Sequence, residues 1–446
     1  MTDAFESLSA KVGSKRAVVG VMGLGYVGLP LLSAFHEAGF PVLGFDVDPE
    51  KIERLKRGEN YLPHLGPELV SGLRGSARFD CTSDFSRLGE ADAILVCVPT
   101  PLGKHHEPDL TYVIRSAEAI GRTLRAGQLI VLESSTYPGT TRDDMVPAML
   151  RARGGPPLEM GKDFFVAFSP EREDPGRKTH TTRTIPKLVG GLCPRSTELA
   201  VALYRQTIAQ VVPTSSAEVA EAAKLLENIF RAVNIALVNE MKMVLDALGI
   251  DVWEVIEAAS TKPFGFMPFY PGPGWGGHCI PIDPYYLVWK AKEVNKPARF
   301  IELAGEVNRE MPQYVIQRLG DALADHGRPL FRSRVLVLGL AYKPDIADTR
   351  ESPSFELIDL LLRRQVRVDY SDPFIRETYP VRRHSFELRS VDLTPETIAS
   401  YDCVLIATNH SAFDYAMIAR HARLVVDTRN AMRAYAAEMG DRLVRA

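Results

Sequence analysis

Short uncharged apolar runs that end in small or polar residues recur along the chain, each followed by a stretch with helical spacing. Arg16-Ala17-Val18-Val19-Gly20-Val21-Met22 predicts a buried strand, residues 29–39 a helix, and Val42-Leu43-Gly44-Phe45-Asp46 a second strand. Similar runs at 93–100, 129–136 and 164–171 predict three more strands. Residues 216–248 contain neither Pro nor Gly and predict one long helix, of a length that suggests a domain-spanning or dimer-building element. Near Arg334 the pattern restarts, with strands predicted at 335–339, 366–370, 403–408 and 424–427 and a helix at 353–363. Continuous apolar strands alternating with helices imply parallel sheets covered on both faces. The predicted fold class is therefore α/β, with two doubly wound Rossmann-like domains joined by a central helical domain built on the long helix. The predicted boundaries are 1–213, 214–325 and 326–446.

Composition narrows the class. A chain of 446 residues is too long for one core, and 46% apolar with 24% charged residues is ordinary for a soluble globular protein. A net charge of −3 argues against a nucleic-acid partner. Cys81, Cys97, Cys193, Cys279 and Cys403 are scattered, with no paired spacing for a disulfide framework or a zinc site, which suits a reducing cytoplasm. Residues 1–15 are polar and mixed in charge, unlike a signal peptide. Residues 17–35 carry no charge and are long enough on paper to span a bilayer. Glycines and Pro30 divide them into strand, turn and helix, so a buried βα unit is expected and no membrane association.

The first βα turn reads Gly23-Leu24-Gly25-Tyr26-Val27-Gly28, and Asp46 ends the next strand 18 residues beyond Gly28. Strand, glycine turn, helix, strand and acid in that order form a dinucleotide site, with the acid accepting from a ribose 2′-hydroxyl. An acid there repels a 2′-phosphate, so NAD is favoured over NADP. Val98 and Thr100 end a strand expected to overhang the cofactor. Thr136 and Glu171 are candidates because ligands bind beyond the carboxyl ends of strands; the plainer alternatives are a helix N-cap and a solvated loop acid. Farther on, Gly277-His278-Cys279-Ile280-Pro281-Ile282-Asp283 follows the Gly- and Pro-rich residues 271–276 and offers a thiol and a carboxylate four residues apart. A helix beginning near Cys279 would place both on one face and help stabilise a thiolate; the alternative is a small buried hydrophobe. Lys224 and Asn228 share one face of the long helix, where a lysine could equally be a surface residue with a buried stem. Lys343, Arg350 and Arg429 are basic groups near strand ends of the second α/β domain, suited to diphosphate contacts. That domain carries a degenerate glycine motif, Gly339-x-Ala341.

Together, the glycine turn, Glu221-x-x-Lys224-x-x-x-Asn228, the Gly276–Asp283 loop and the run from Gly339 through Asp348-Thr349-Arg350-Glu351-Ser352 resemble the nucleotide-sugar 6-dehydrogenases, the UDP-glucose/GDP-mannose dehydrogenase family. The loop around Cys279 is most similar to the branch acting on UDP-N-acetylglucosamine. His278 and Ile282 stand where UDP-glucose enzymes usually carry Ser and Lys, and Lys262-Pro263-Phe264 stands where the family usually places an arginine reaching the partner subunit. The resemblance implies NAD-dependent, four-electron oxidation of a UDP-sugar CH2OH to a carboxylate. Cys279 would carry the thiohemiacetal and thioester. Lys224 and Asp283 would take the first proton, and Glu171 or Asp283 would activate the hydrolytic water. Lys224 and Asn228 would stabilise oxyanions, and Thr136 would position water. Tyr270, Gly276, Lys343 and Arg429 would bind the substrate, and Arg350 the cofactor. A homodimer through the long helix, or a higher oligomer built on it, and a role in surface-polysaccharide synthesis are implied as well. The alternatives are UDP-N-acetylmannosamine, UDP-N-acetylgalactosamine or UDP-glucose as substrate, or a catalytically silent NAD-binding regulator.

Overall fold

Eight strands build the first sheet: β1 (Val19–Met22), β2 (Val42–Phe45), β3 (Phe79–Thr82), β4 (Ala93–Val96), β5 (Leu129–Leu132), β6 (Phe165–Phe168), β7 (Lys187–Gly191) and β8 (Val211–Pro213). The structure is a computed structural model that describes residues 3–62, 66, 68–172, 183–277, 279–379 and 384–446. Strand order is β3-β2-β1-β4-β5-β6-β7-β8. β1, β2, β4, β5 and β6 are buried end to end, which is why they read as unbroken apolar runs. Chain order reverses between β1 and β4, so the loops leaving those two strands diverge and open a crevice at their carboxyl ends. The ladder stops sooner than the apolar runs suggested. Its last rungs are Cys97 N–H to Met22 O, Glu133 N–H to Val96 O and Ser169 N–H to Leu132 O. Residues 97–100, 133–136 and 169–171 therefore leave the sheet as loops, freeing their side chains for other work. The sheet departs from parallel pairing at β7, which runs antiparallel to β6.

The second sheet has β9 (Arg334–Leu338), β10 (Arg367–Ser371), β11 (Cys403–Ile406), β12 (Val425–Asp427) and β13 (Leu443–Arg445) in the order β10-β9-β11-β12-β13. All its pairings are parallel, and the switch point falls between β9 and β11. It repeats a detail of the first sheet. Gly23 N–H donates to Phe45 O and Leu24 N–H to Asp46 Oδ2; likewise Gly339 N–H donates to Ser371 O and Leu340 N–H to Asp372 Oδ2.

The long helix spans Ala217–Ala247, within a residue of expectation at each end. A second long helix, Arg299–Asp325, carries Pro312 in its interior. Contacts group the residues into two compact units, 1–227 with 285–296 and 228–284 with 297–446. Each unit has apolar clusters on both faces of its own sheet. Residues 17–35 form β1, the glycine turn and the start of the helix Gly28–Glu37. Among the described residues no helix is long and apolar enough to cross a membrane.

Candidate active site

The glycine turn after β1 is closed by backbone approach. A Cβ on Gly23 would lie 2.4 Å from Cys97 O, and one on Gly28 would lie 1.9 Å from Gly23 O. Gly25 differs: a Cβ there would meet nothing within 4 Å. That open space lies beside Tyr26, Val27 and the start of the helix Gly28–Glu37, whose positive end would favour a pyrophosphate. Asp46 is buried; its Oδ2 accepts from Leu24 N–H (2.9 Å) and its Oδ1 from Asp48 N–H (3.0 Å), with Lys51 Nζ at 3.4 Å. Val98 N–H donates to Ser134 Oγ (3.0 Å), whose hydroxyl donates to Val98 O (2.7 Å), pinning the loops after β4 and β5 together. Thr100 is buried and its carbonyl accepts from Tyr286 Oη (2.9 Å). The residues fit an NAD: an open phosphate cradle, a fixed ribose acid and a pinned strand-end loop.

Thr136 is buried, and its Oγ1 has no hydrogen-bond partner. The N-cap alternative is thereby overturned, and an orphaned hydroxyl at a strand end is what a bound water or substrate oxygen would satisfy. The turn that follows is tied to the long helix. Gly139 N–H and Thr141 N–H donate to Glu221 Oε2 and Oε1 at 2.6 and 3.0 Å, and the Thr141 hydroxyl adds 2.7 Å to Oε1. Glu221 is fully buried, and burial raises its pKa to about 7 despite those donors. It lies one helical turn before Lys224, itself 8% exposed, which favours a working lysine over a surface one. Sequence reasoning quoted Glu221 within its motif but gave it no role.

Glu171 is not a solvated loop acid. Its carboxylate lies 3.7 Å from the buried Lys187 ammonium, which donates to Glu133 Oε2 at 2.7 Å. Tyr204 Oη donates to the other oxygen of Glu133. Burial lowers the proton affinity of Lys187, but Glu133 and Glu171 more than reverse this and hold it charged. Lys187 and Glu133 were missed because nothing local in the sequence pairs residues 54 apart.

In the second unit, the helix after the thiol starts at Asp283 and not near Cys279. Pro281 disfavours helical geometry at Ile280, whereas Pro284 suits a first turn. Thiol and acid are joined instead by a turn in which Asp283 N–H donates to Cys279 O at 2.8 Å and Ile282 N–H at 3.1 Å. Cys279 is partly exposed and forms no disulfide, so it is not the buried hydrophobe of the plainer alternative. Asp283 is 2% exposed, and Asn228 Nδ2 donates to its Oδ2 at 2.7 Å. Residue His278 lies outside the described residues.

The Gly- and Pro-rich loop packs on the third motif. A Cβ on Gly276 would lie 2.7 Å from Tyr342 Cβ, and Gly277 N–H donates to Arg350 O (3.0 Å). Gly272 lies against the Arg429 guanidinium, and its N–H donates to Asn239 Oδ1 (3.0 Å). Asn239 in turn donates to Asn308 (2.8 Å), a buried amide relay that sequence reasoning did not anticipate. Burial, only partly offset by Asp427, pulls Arg429 down to about 10, a cost that a diphosphate would relieve. Lys343 Nζ lies 5.6 Å from the Tyr342 ring centroid, and Tyr270, half exposed, stacks on Trp253 at 5.5 Å. The Arg350 guanidinium grips Asp348 through Nε and Nη2 (2.6 Å for the shorter contact). Asp345, Glu351 and Asn430 all hold positive φ among these basic residues, strain of the kind found at ligand clamps. Asp372 accepts from Leu340, Phe374 and Ile375 N–H and faces His410 Nε2 at 3.1 Å. Each oxygen of Asp372 thus meets at least two partners, which leaves less room for a ribose than at Asp46 Oδ1, where Asp48 N–H is the donor.

Comparison with known proteins accords with this division. Residues 17–208 match the NAD binding domain of the UDP-glucose/GDP-mannose dehydrogenase family, 218–310 its central domain and 336–434 its UDP binding domain. The chain is 36% identical to a UDP-N-acetyl-D-glucosamine 6-dehydrogenase of Pseudomonas aeruginosa, covering 89% of this chain and 91% of the relative. It is 33% identical to an NDP-N-acetyl-D-galactosaminuronic acid dehydrogenase of Ralstonia nicotianae, covering 92% and 95%. Among solved structures, a UDP-D-ManNAc dehydrogenase of Pyrococcus horikoshii superposes with a TM-score of 0.83 at 31% identity, covering 93% and 96%.

Proposed function

Because the chain belongs to the UDP-glucose/GDP-mannose dehydrogenase family and is an NAD-dependent oxidoreductase of UDP-sugars, we propose that it oxidises C6 of a UDP-N-acetylhexosamine, UDP-N-acetylglucosamine first, to the uronic acid. The observation that carries this reading is the Cys279–Asp283 turn with Asn228 donating to the acid. An NAD-binding regulator needs neither a thiol nor a buried acid beside it.

Lys224 and Asp283 take the 6-hydroxyl proton in the first oxidation. NAD supplies the hydride acceptor for each of the two oxidations. Cys279 adds to the aldehyde, which keeps it on the protein, and the resulting thiohemiacetal is oxidised to a thioester. Water then attacks the thioester carbonyl with Glu171 as base, the C–S bond breaks, and Cys279 is released as the thiolate. Lys224 and Asn228 donate to the oxygen on C6, and the orphaned Thr136 hydroxyl orients the water. Tyr270, Gly276, Lys343 and Arg429 hold the UDP-sugar, and Arg350 contacts the cofactor. Residues 1–213, 214–325 and 326–446 act as NAD-binding, central and UDP-sugar-binding segments, and the uronate serves surface-polysaccharide synthesis.

A homodimer is part of the proposal. Val219, Leu226, Phe230, Leu237, Met241, Val244 and Leu248 are all exposed and recur at intervals of three, four or seven residues. That spacing puts the first six on one side of the long helix, with Leu248 just past its end, where a second copy would cover them.

The test is a panel of UDP-N-acetylglucosamine, UDP-N-acetylmannosamine, UDP-N-acetylgalactosamine and UDP-glucose with NAD+, followed by NADH absorbance. Two NADH per UDP-N-acetylglucosamine and a higher kcat/KM than for the other three are expected. Binding without turnover would favour the silent regulator, and one NADH per sugar would exclude the thioester route.

A further inference from the structure

We propose that Lys187 and Glu133 are positioning residues for Glu171: a buried ion pair that aims the hydrolytic base while cancelling the charge that would weaken it. This rests on the reading of Glu171 as the base for thioester hydrolysis.

The antiparallel strand explains how the three groups meet. Glu133 is the first residue beyond β5, and Glu171 stands three residues beyond β6. A parallel β7 would begin at the far end of the sheet. Because β7 runs backwards, its first residue, Lys187, arrives at the carboxyl ends of β5 and β6. The register of Phe168 with Gly190, carried past the last rung, sets Lys187 opposite Glu171.

The side chains complete the geometry. Lys187 Nζ donates to Glu133 Oε2 (2.7 Å) and Pro170 O (3.3 Å) and lies 3.7 Å from Glu171 Oε2. Side-chain exposure is 0% for Glu133, 5% for Lys187 and 16% for Glu171, so only Glu171 is open to a reacting water. Other groups also face the cluster. Tyr204 donates to Glu133, and its ring lies 5.2 Å from the ammonium. The Cys97 thiol is kept protonated by burial. Arg172 N–H donates to Glu171 Oε1 (2.7 Å), while its guanidinium pairs with Glu227 at 2.6 Å.

An unopposed ammonium at this distance favours a carboxylate over its acid and so weakens it as a base. With Glu133 on its other side, Lys187 presents Glu171 with a nearly neutral pair. Glu171 can then be held in place and still take a proton from water as the water oxygen bonds to C6. The thioester C–S bond breaks, and the proton passes from Glu171 to solvent.

The experiment follows decay of the acid-stable, protein-bound label after a single turnover with radiolabelled UDP-N-acetylglucosamine, over roughly pH 5 to 9. Glu133→Gln leaves the ammonium uncompensated, and the acid limb is expected to move down by about one pH unit with a slower plateau. Lys187→Met leaves Glu171 facing the uncompensated charge of Glu133, and the limb is expected to move up by a similar amount. KM for the UDP-sugar should change less than about two-fold in both, since neither group touches substrate. Opposite displacements are a signature that mere loosening of the fold cannot produce. If both variants keep the wild-type limb, or move it in the same direction, the proposal is overturned. Should Lys187→Met not fold, Lys187→Arg with a wild-type limb beside a displaced Glu133→Gln limb supports the proposal, and an undisplaced Glu133→Gln limb sinks it. Glu171→Gln separates the two levels. Unimpaired decay in that variant removes the base assignment itself, whereas lost decay beside wild-type profiles in the other variants removes only the role of the pair.

Discussion

Asn228 Nδ2 donates to Asp283 Oδ2 at 2.7 Å, and the N–H of Asp283 donates to the carbonyl of Cys279 at 2.8 Å. One amide on the long helix therefore braces the turn that carries the thiol. Removing it in Asn228→Ala takes a donor from a buried carboxylate, and kcat is expected to fall by about 10² to 10³ with a smaller change in KM. Asn228→Asp sets two carboxylates at hydrogen-bond distance, so one retains its proton. Its acid limb should lie at higher pH than that of the wild type, as a pH–rate profile will show. An Asn228→Ala enzyme with wild-type kcat would remove Asn228 from the mechanism.

Asp46 joins cofactor choice to loop shape. Its carboxylate accepts from Leu24 in the glycine turn, and in the proposed site it would also accept from the ribose. Asp46→Ser should weaken NAD+ binding and raise the ratio of kcat/KM for NADP+ over NAD+ by about ten-fold or more. An unchanged ratio would mean that discrimination lies elsewhere.

Glu221 makes stability depend on pH with a defined sign. Its pKa in the fold is raised to about 7 by burial, from an ordinary value of 4.5. Over that interval the folded state binds more protons than the unfolded one, so the contribution is complete below the lower value and is lost as pH rises towards 7. The loss amounts to about 3 kcal/mol. Glu221→Gln cannot ionise, and denaturant unfolding of this variant should lack that part of the decline. Parallel stability–pH curves for the two proteins would contradict the assignment.

The strands that build the site were legible wherever burial was complete. Residues 19–22, 93–96 and 129–132 are apolar throughout because both faces of the sheet are covered. β7 escaped notice because it opens on a lysine and closes on two glycines. Its buried Lys187 becomes intelligible only with Glu133, which no local pattern connects to it. Pro312 hid the helix Arg299–Asp325. Cys279, Asp283, Lys224 and Asn228 were readable because each motif is continuous in the chain. The roles of Glu221 and Asn239 depend on partners 82 and 33 residues away.

The exposed stripe on the long helix bears on assembly. Leu237→Arg places a charge in the middle of seven apolar positions, at a cost that a covered interface cannot absorb. Sedimentation velocity should show the variant as a monomer and the wild type as a dimer or larger. Identical sedimentation of the two would move the interface elsewhere.

The proposed chemistry turns on the thiol of Cys279, and Cys279→Ser tests it most directly. After incubation with NAD+ and UDP-N-acetylglucosamine and an acid quench, peptide mass mapping should find the sugar esterified to residue 279, with uronate release slowed by about 10³-fold or more. Uronate formed at the wild-type rate, with residue 279 unmodified, would show that the four-electron oxidation proceeds without this residue.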